Sequence, residues 1–444
     1  MLPTSRDARR ILVGTLLSAV GRGLTLPYLF VYLTEVRGIS AGTVGLLVGW
    51  MGAVSLVLAP LGGSLVDRLG ARRVVLPLFV VAALGTASLA FVTGPASAFV
   101  SLTLVALAFS AIWAAQTTIL ASLVDESERQ RTFGLNFTLL NLGIGVGGVV
   151  GGLLVDPSRL GTFQLLYLID ALSYLGPAVI LLGMPHVGRR VVTPAAEVVT
   201  QSKAGGYLDV LRDRTFVRFF VFGLVLITFG YAQVEVGFTA FARVVAGVPA
   251  GVLGLAFACN TSVIVVSQLF VVRWLEGRSR TRALALAASI FALSWVILAG
   301  AGLAGTAAPA LAIAGVVGCT VVFAIGETLM SPVMPAITNA LATDELRGRY
   351  NALASMTWGL SGIVGPVAAG PLIGAGHGFG WVVMVTFGCL AAAGLALMLR
   401  RRLTPVQDGR LAVEDDSQPA RVGAREAEDV SSPEEPGELA SARS

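Results

Sequence analysis

Charge is what this 444-residue chain has least of: Asp, Glu, Lys and Arg together make up 13% of it, against roughly 25% in an average soluble protein. Lysine occurs once, at Lys203, and histidine twice, at His186 and His377. Neither histidine stands near Cys, Asp or Glu in a ligand or triad spacing, so metal chemistry and Ser/His/Asp hydrolysis have no starting constellation. No cofactor is expected, and an enzyme is disfavoured. The three cysteines, Cys259, Cys319 and Cys389, each lie inside an apolar block without paired spacing, which excludes a disulfide framework. No G-x-x-x-x-G-K-[ST] sequence occurs, which argues against nucleotide-driven work. The calculated pI near 9.4 does not imply nucleic acid, because the arginines are dispersed between apolar blocks instead of gathered on one soluble domain.

Hydrophobic residues are abundant, at 55% of the chain with a mean hydropathy of +0.82. A bilayer core is crossed by about 20 apolar helical residues. Twelve such runs fall near 11–33, 43–66, 74–94, 98–123, 132–155, 163–183, 216–241, 250–272, 283–305, 309–340, 350–373 and 381–399, so the fold class is an all-α membrane protein. The basic residues collect in alternate segments, among them Arg6, Arg9 and Arg10, Arg72 and Arg73, and Arg400 to Arg402; the opposite segments hold only Arg37, Arg159 and Arg243. The positive-inside rule then places both termini in the cytoplasm. The first apolar stretch has no small-residue cleavage site and reads as an uncleaved span. The expected organisation is a tail over 1–10, a six-helix half over 11–184, a polar linker over 185–215, a second half over 216–400 and a disordered acidic tail over 401–444.

A shift of 218 residues lays Arg129-Gln130-Arg131 on Arg347-Gly348-Arg349, Gly147-Gly148 on Gly365-Pro366, and Gly152 on Gly370. Charged and glycine landmarks holding one offset indicate a duplication, and two six-helix halves are a transporter pattern. Between the second and third spans stands Gly63-Ser64-Leu65-Val66-Asp67-Arg68-Leu69-Gly70-Ala71-Arg72-Arg73. This resembles the cytoplasmic signature G-x-L-a-D-r-x-G-r-k of the major facilitator superfamily, matching at Gly63, Leu65, Asp67, Arg68, Gly70 and Arg72 and departing at Ala71. Gly63 would permit close helix contact, Gly70 a tight turn, and the arginines would pair nearby acids. The resemblance implies a latch between the halves in the outward-open state; simple orientation by the arginines is the plainer alternative. In the fifth span, Gly143-Ile144-Gly145-Val146-Gly147-Gly148-Val149-Val150-Gly151-Gly152 is similar to the g-x-x-x-G-P-x-x-G-G motif of the drug:proton antiporter branch, with Gly148 in place of the proline. Small-residue helix packing accounts for it equally. The fourth span lacks the Arg that many proton-coupled members carry.

A charge at mid-bilayer costs about 2.5–3.5 kcal/mol even on lenient scales. Four stand inside spans: Arg22, Asp170, Glu235 and Glu327. The family resemblance makes spans one, four, seven and ten the cavity walls, and three of the four fall there. Thr15, Ser18, Arg22 and Thr25 share one helical face, as do Thr228, Tyr231, Glu235 and Thr239; Gln233 lies on another. Arg22 is expected to be held by Glu327 or Glu235, one of which would exchange a proton; a permanent ion pair is the alternative. Asp170 is expected near the outer end of its span. Trp113, Gln116, Tyr231 and Asn260 are candidate substrate contacts, with helix packing as the competing role for Trp113, Gln116 and Asn260.

These features and the resemblance together imply a secondary transporter in a bacterial plasma membrane, monomeric, exporting amphipathic small molecules against protons. A nutrient symporter or facilitator, or a receptor or assembly factor on the same fold, are the alternatives.

Overall fold

The computed structural model describes residues 3–188, 207–343 and 346–410, apart from the side chains of Asp67, Glu126, Ser127, Gln130 and Leu269. Most of the linker and the tail beyond Arg410 therefore lie outside the described residues. Among the described residues twelve helices are long and apolar enough to cross a membrane: α1 (Arg6–Val36), α2 (Ala41–Val66), α3 (Ala71–Leu89), α4 (Pro95–Ser122), α5 (Arg131–Leu154), α6 (Leu160–Leu182), α7 (Arg214–Phe238), α8 (Ala250–Gln268), α9 (Arg280–Ala307), α10 (Pro309–Leu341), α11 (Arg347–Gly374) and α12 (Gly378–Arg400). Each coincides with a run read from hydropathy, because only a helix satisfies its own backbone in hydrocarbon.

The helices form two six-helix halves that meet chiefly along two pairs, α2 with α11 and α5 with α8. Glycines make both seams. A Cβ on Gly254 of α8 would stand 2.1 Å from the Gly148 carbonyl, and one on Gly45 of α2 would stand 2.4 Å from the Pro366 carbonyl. Gly152 abuts Gly251 as Gly370 abuts Gly45. Landmarks separated by 218 residues thus play one role in the two halves, which is the structural content of the repeat.

All these contacts lie toward the side opposite the chain ends, the far face. At the other ends of the same helices, a Cβ on Gly63, Gly134 or Gly348 would meet nothing within 4 Å. The halves therefore close at the far face and separate toward the face that carries the described termini. Gly63, expected to make a close helix contact, stands open for this reason.

The spans α1 and α7 are interrupted mid-membrane by 3-10 and π turns. In α1 the α-helix ends at Thr25 and gives way to a 3-10 turn, Leu26–Tyr28, where Pro27 cannot donate. In α7 the α-helix ends at Phe229; Gly230 turns out of helical geometry (φ −95, ψ −88), and 3-10 and π turns follow over Tyr231–Phe238. The carbonyls freed by that break are capped by side chains. Gln233 Nε2 donates to Thr228 O at 2.8 Å, and Trp295 Nε1 to Phe229 O at 3.2 Å.

Residues 401–410, assigned from composition to a disordered tail, are instead packed. Asp408 is fully buried and accepts from Ser279 Oγ (2.7 Å), Thr281 N (2.9 Å) and Thr281 Oγ1 (2.8 Å), capping the start of α9. A composition argument misses this because a few specific contacts hold the segment: the Asp408 cap, the hydrogen bonds of Arg280 to the Gln407 and Asp408 carbonyls, and buried Leu403.

Candidate functional site

The cleft between the halves ends in a cavity of about 280 Å³ on the C-terminal side, lined by Tyr231, Glu235, Asn260, Phe323, Glu327 and Trp358, among others. Aromatic side chains form part of its wall. The Tyr231 ring lies 4.9 Å from that of Trp358, and Phe323 stacks on Phe291 at 4.3 Å. Tyr231 and Asn260 line this cavity with Glu327, and Asn260 Nδ2 donates to Thr320 O at 3.3 Å. Glu235 is exposed to the cleft. The break in α7 is what turns Tyr231 and Glu235 inward together. Thr228 and Thr239, placed with them on one helical face, leave it: Thr228 bonds Ser361 on α11 at 2.8 Å and Thr239 the Glu235 carbonyl at 2.7 Å. A periodicity of 3.6 holds only along unbroken helix.

In the N-terminal half the polar face of α1 is retained. Thr15, Ser18 and Arg22 line a cavity of about 270 Å³ with Trp113, Gln116 and Asn136. Arg22, expected to pair with Glu327 or Glu235, makes no ion pair with either among the described residues. Its guanidinium stacks 5.0 Å from the Phe109 ring centroid, and the carboxylate in its field is Asp170. Asp170 is not at a wet outer end. It is 2% exposed and accepts from Thr25 Oγ1 at 2.6 Å, because α6 leans on α1 at Gly21, a residue that no motif or periodicity in the sequence marks.

The loop signature divides. Gly70 takes φ +87 and ends one helix as it starts the next. Arg72 donates to the carbonyls of Leu181 and Met184 (2.8 Å to the latter), capping the C-terminus of α6 instead of pairing an acid. Arg68 is exposed, and the side chain of Asp67 lies outside the described residues. The fifth-span glycines serve two faces: Gly143, Gly147 and Gly151 admit α1, whereas Gly148 and Gly152 admit α8. Among the described residues no cluster of His, Cys, Asp and Glu could hold a metal ion.

Two six-helix halves around a central polar cleft define a membrane carrier. The chain belongs to the Major Facilitator Superfamily, whose family model matches residues 11–324 and 247–431. Its relatives are transporters, not enzymes. It is 26% identical over 373 residues to the multidrug resistance protein MdtH of Photorhabdus laumondii, covering 83% of this chain and 86% of that one. It is 24% identical over 417 residues to a Na(+), Li(+), K(+)/H(+) antiporter of Planococcus maritimus, covering 86% and 92%. Among solved structures it resembles a POT family transporter in complex with 5-aminolevulinic acid (TM-score 0.77, 14% identity, 90% and 97% covered) and the nucleoside transporter NupG (TM-score 0.66, 15% identity, 89% and 98% covered). At such identities these structures establish the fold alone.

Proposed function

We propose that this protein is a proton-driven exporter of amphipathic organic cations, working by alternating access in a bacterial plasma membrane with both termini cytoplasmic. One observation carries the reading: Glu235 and Glu327 face a single cavity whose lining also includes the aromatic side chains of Tyr231, Phe323 and Trp358. A lipophilic cation gains from both, since carboxylates supply counter-charge and a ring face adds about 0.5–2 kcal/mol as it is desolvated. Binding between halves that open on one face at a time then moves the cation across. The similarity to MdtH supports drug export and the similarity to the Planococcus protein supports exchange against protons. The arginine-rich loops on the terminal face support its cytoplasmic placement.

The test uses ethidium, a fluorescent lipophilic cation, with inside-out vesicles. Ethidium should collapse an imposed pH gradient through the wild-type protein. Glu235→Gln and Glu327→Gln should each weaken ethidium binding about tenfold, the worth of about 1.4 kcal/mol. Unchanged binding in both variants overturns the cation assignment.

A further inference from the structure

We propose that Asp170, governed by Arg22, is the proton-coupling site, a site in the N-terminal half separate from the carboxylates that face the substrate; this rests on the proton-driven reading above.

Two cavities flank Arg22. One, of about 250 Å³, holds Asp170, Thr25 and Tyr167 and is lined from across the cleft by Glu235 and Gly362 of the other half. The second is the cavity of Thr15, Ser18, Gln116 and Asn136. Arg22, Phe109 and Tyr174 line both and form the wall between them. The guanidinium sits over Phe109, and the Phe109 ring meets Tyr174 edge-on at 5.6 Å. Along α1, Thr15 and Ser18 lie on the terminal side of this wall and Thr25 on the far side. Water that enters through the cavity of Thr15 and Ser18 therefore meets Arg22 before it meets Asp170.

Asp170 is built to hold a proton in that position. A buried carboxylate needs a counter-charge or a proton. Arg22 supplies charge from the neighbouring helix, but the two make no ion pair within 4.0 Å among the described residues, so the compensation is incomplete. Thr25 Oγ1 already donates to the carboxylate at 2.6 Å and Ser173 Oγ at 3.5 Å, while the buried Tyr167 hydroxyl, lining the same cavity, has no partner. A water there would bridge Tyr167 to Asp170, and the space is ample for one. The remaining charged group facing the site is Glu235 on α7; α2, α3 and α4 contribute Ser55, Thr86 and apolar side chains. The approach of α6 is set by Gly21, where a Cβ would stand 2.1 Å from Ser173 Oγ and 2.9 Å from Asp170 Oδ1.

The exchange follows. When the far face parts, the cavity of Asp170, bounded by α2 and by the other half, opens outward, and a proton from external water adds to the carboxylate, leaving a neutral carboxyl and an unpaired Arg22. With the halves rocked back, as in this structure, Asp170 still holds its proton while Arg22 rests over Phe109; release follows when the guanidinium turns from Phe109 to Asp170, the O–H bond breaks, and the proton passes to water on the terminal side.

The experiment reconstitutes the full chain in liposomes with ethidium as probe and follows accumulation driven by a pH gradient, gradient-free exchange, and thermal unfolding. Asp170→Asn should lose gradient-driven accumulation at least tenfold while its exchange stays within about twofold. Thr25→Val, which removes one donor, should keep coupling but move the pH midpoint of transport, and it decides the matter if Asp170→Asn does not fold. Gradient-driven accumulation at the wild-type proton-to-ethidium ratio in Asp170→Asn, or an unmoved pH midpoint in Thr25→Val, overturns the proposal. A wild-type protein that ignores the pH gradient overturns the proton-driven reading itself, and does so before any variant is made.

Discussion

Glu35 and Arg243 fasten the two halves together at the far face. Arg243 Nε donates to Glu35 Oε1 at 2.7 Å, its second amine reaches the other carboxylate oxygen, and its third nitrogen caps the Val248 carbonyl. The pair joins the π-helical end of α1, Tyr32–Val36, to the π-helical turn Phe241–Val245 that follows α7. Forked and partly buried, it is worth more than an ordinary surface pair.

This clamp must release for the far face to open. Arg243→Ala or Glu35→Gln should favour the far-face-open state by about 1–2 kcal/mol, roughly 5- to 30-fold in the equilibrium. A longer spin-label distance between the α1–α2 and α7–α8 connections would register the change. The exchanged pair, Glu35→Arg with Arg243→Glu, should restore the wild-type distance, and failure to do so would show that the charges themselves are not the fastening.

The glycine seam makes a steric counterpart. At Gly254 a Cβ would stand 2.0 Å from the Tyr28 hydroxyl, which donates to Gly148 O at 2.6 Å. Gly254→Ala should penalise the sealed state by about 1–3 kcal/mol, lengthening the same distance and slowing transport. Gly300→Ala, with nothing within 4 Å, is the control and should change neither.

Arg72 and Arg68 should separate in a stability measurement although the loop signature contains both. Arg72→Ala uncovers the C-terminal carbonyls of α6 and should cost about 1–2 kcal/mol, read as earlier thermal unfolding in detergent. Arg68 is exposed, and Arg68→Ala should leave the unfolding curve within about 0.5 kcal/mol of wild type. Equal losses from the two would contradict the capping role.

Much of the architecture was legible in the chain because it follows from local physics. The twelve spans coincide with apolar runs, and the offset that aligns Gly147-Gly148 with Gly365-Pro366 aligns residues with matching structural duties. The candidate residues Tyr231, Glu235, Asn260 and Glu327 do share one cavity, and Trp113 and Gln116 share another with Arg22. What failed was helical extrapolation. Gly230 interrupts α7, so Thr228 and Thr239 leave the face on which a continuous helix would put them.

The sequence by itself determined where the chain crosses the membrane, because a backbone without water must close its hydrogen bonds within each apolar helix and each such run is visible locally. Only the tertiary structure decided which charge answers which. Arg22 lies in the field of Asp170, 148 positions further along the chain, as 170 less 22 gives, and Glu35 pairs with Arg243 across 208. Those pairings follow from where glycines such as Gly21 and Gly254 let helices come close, and that closeness is a property of packed surfaces, not of any single span.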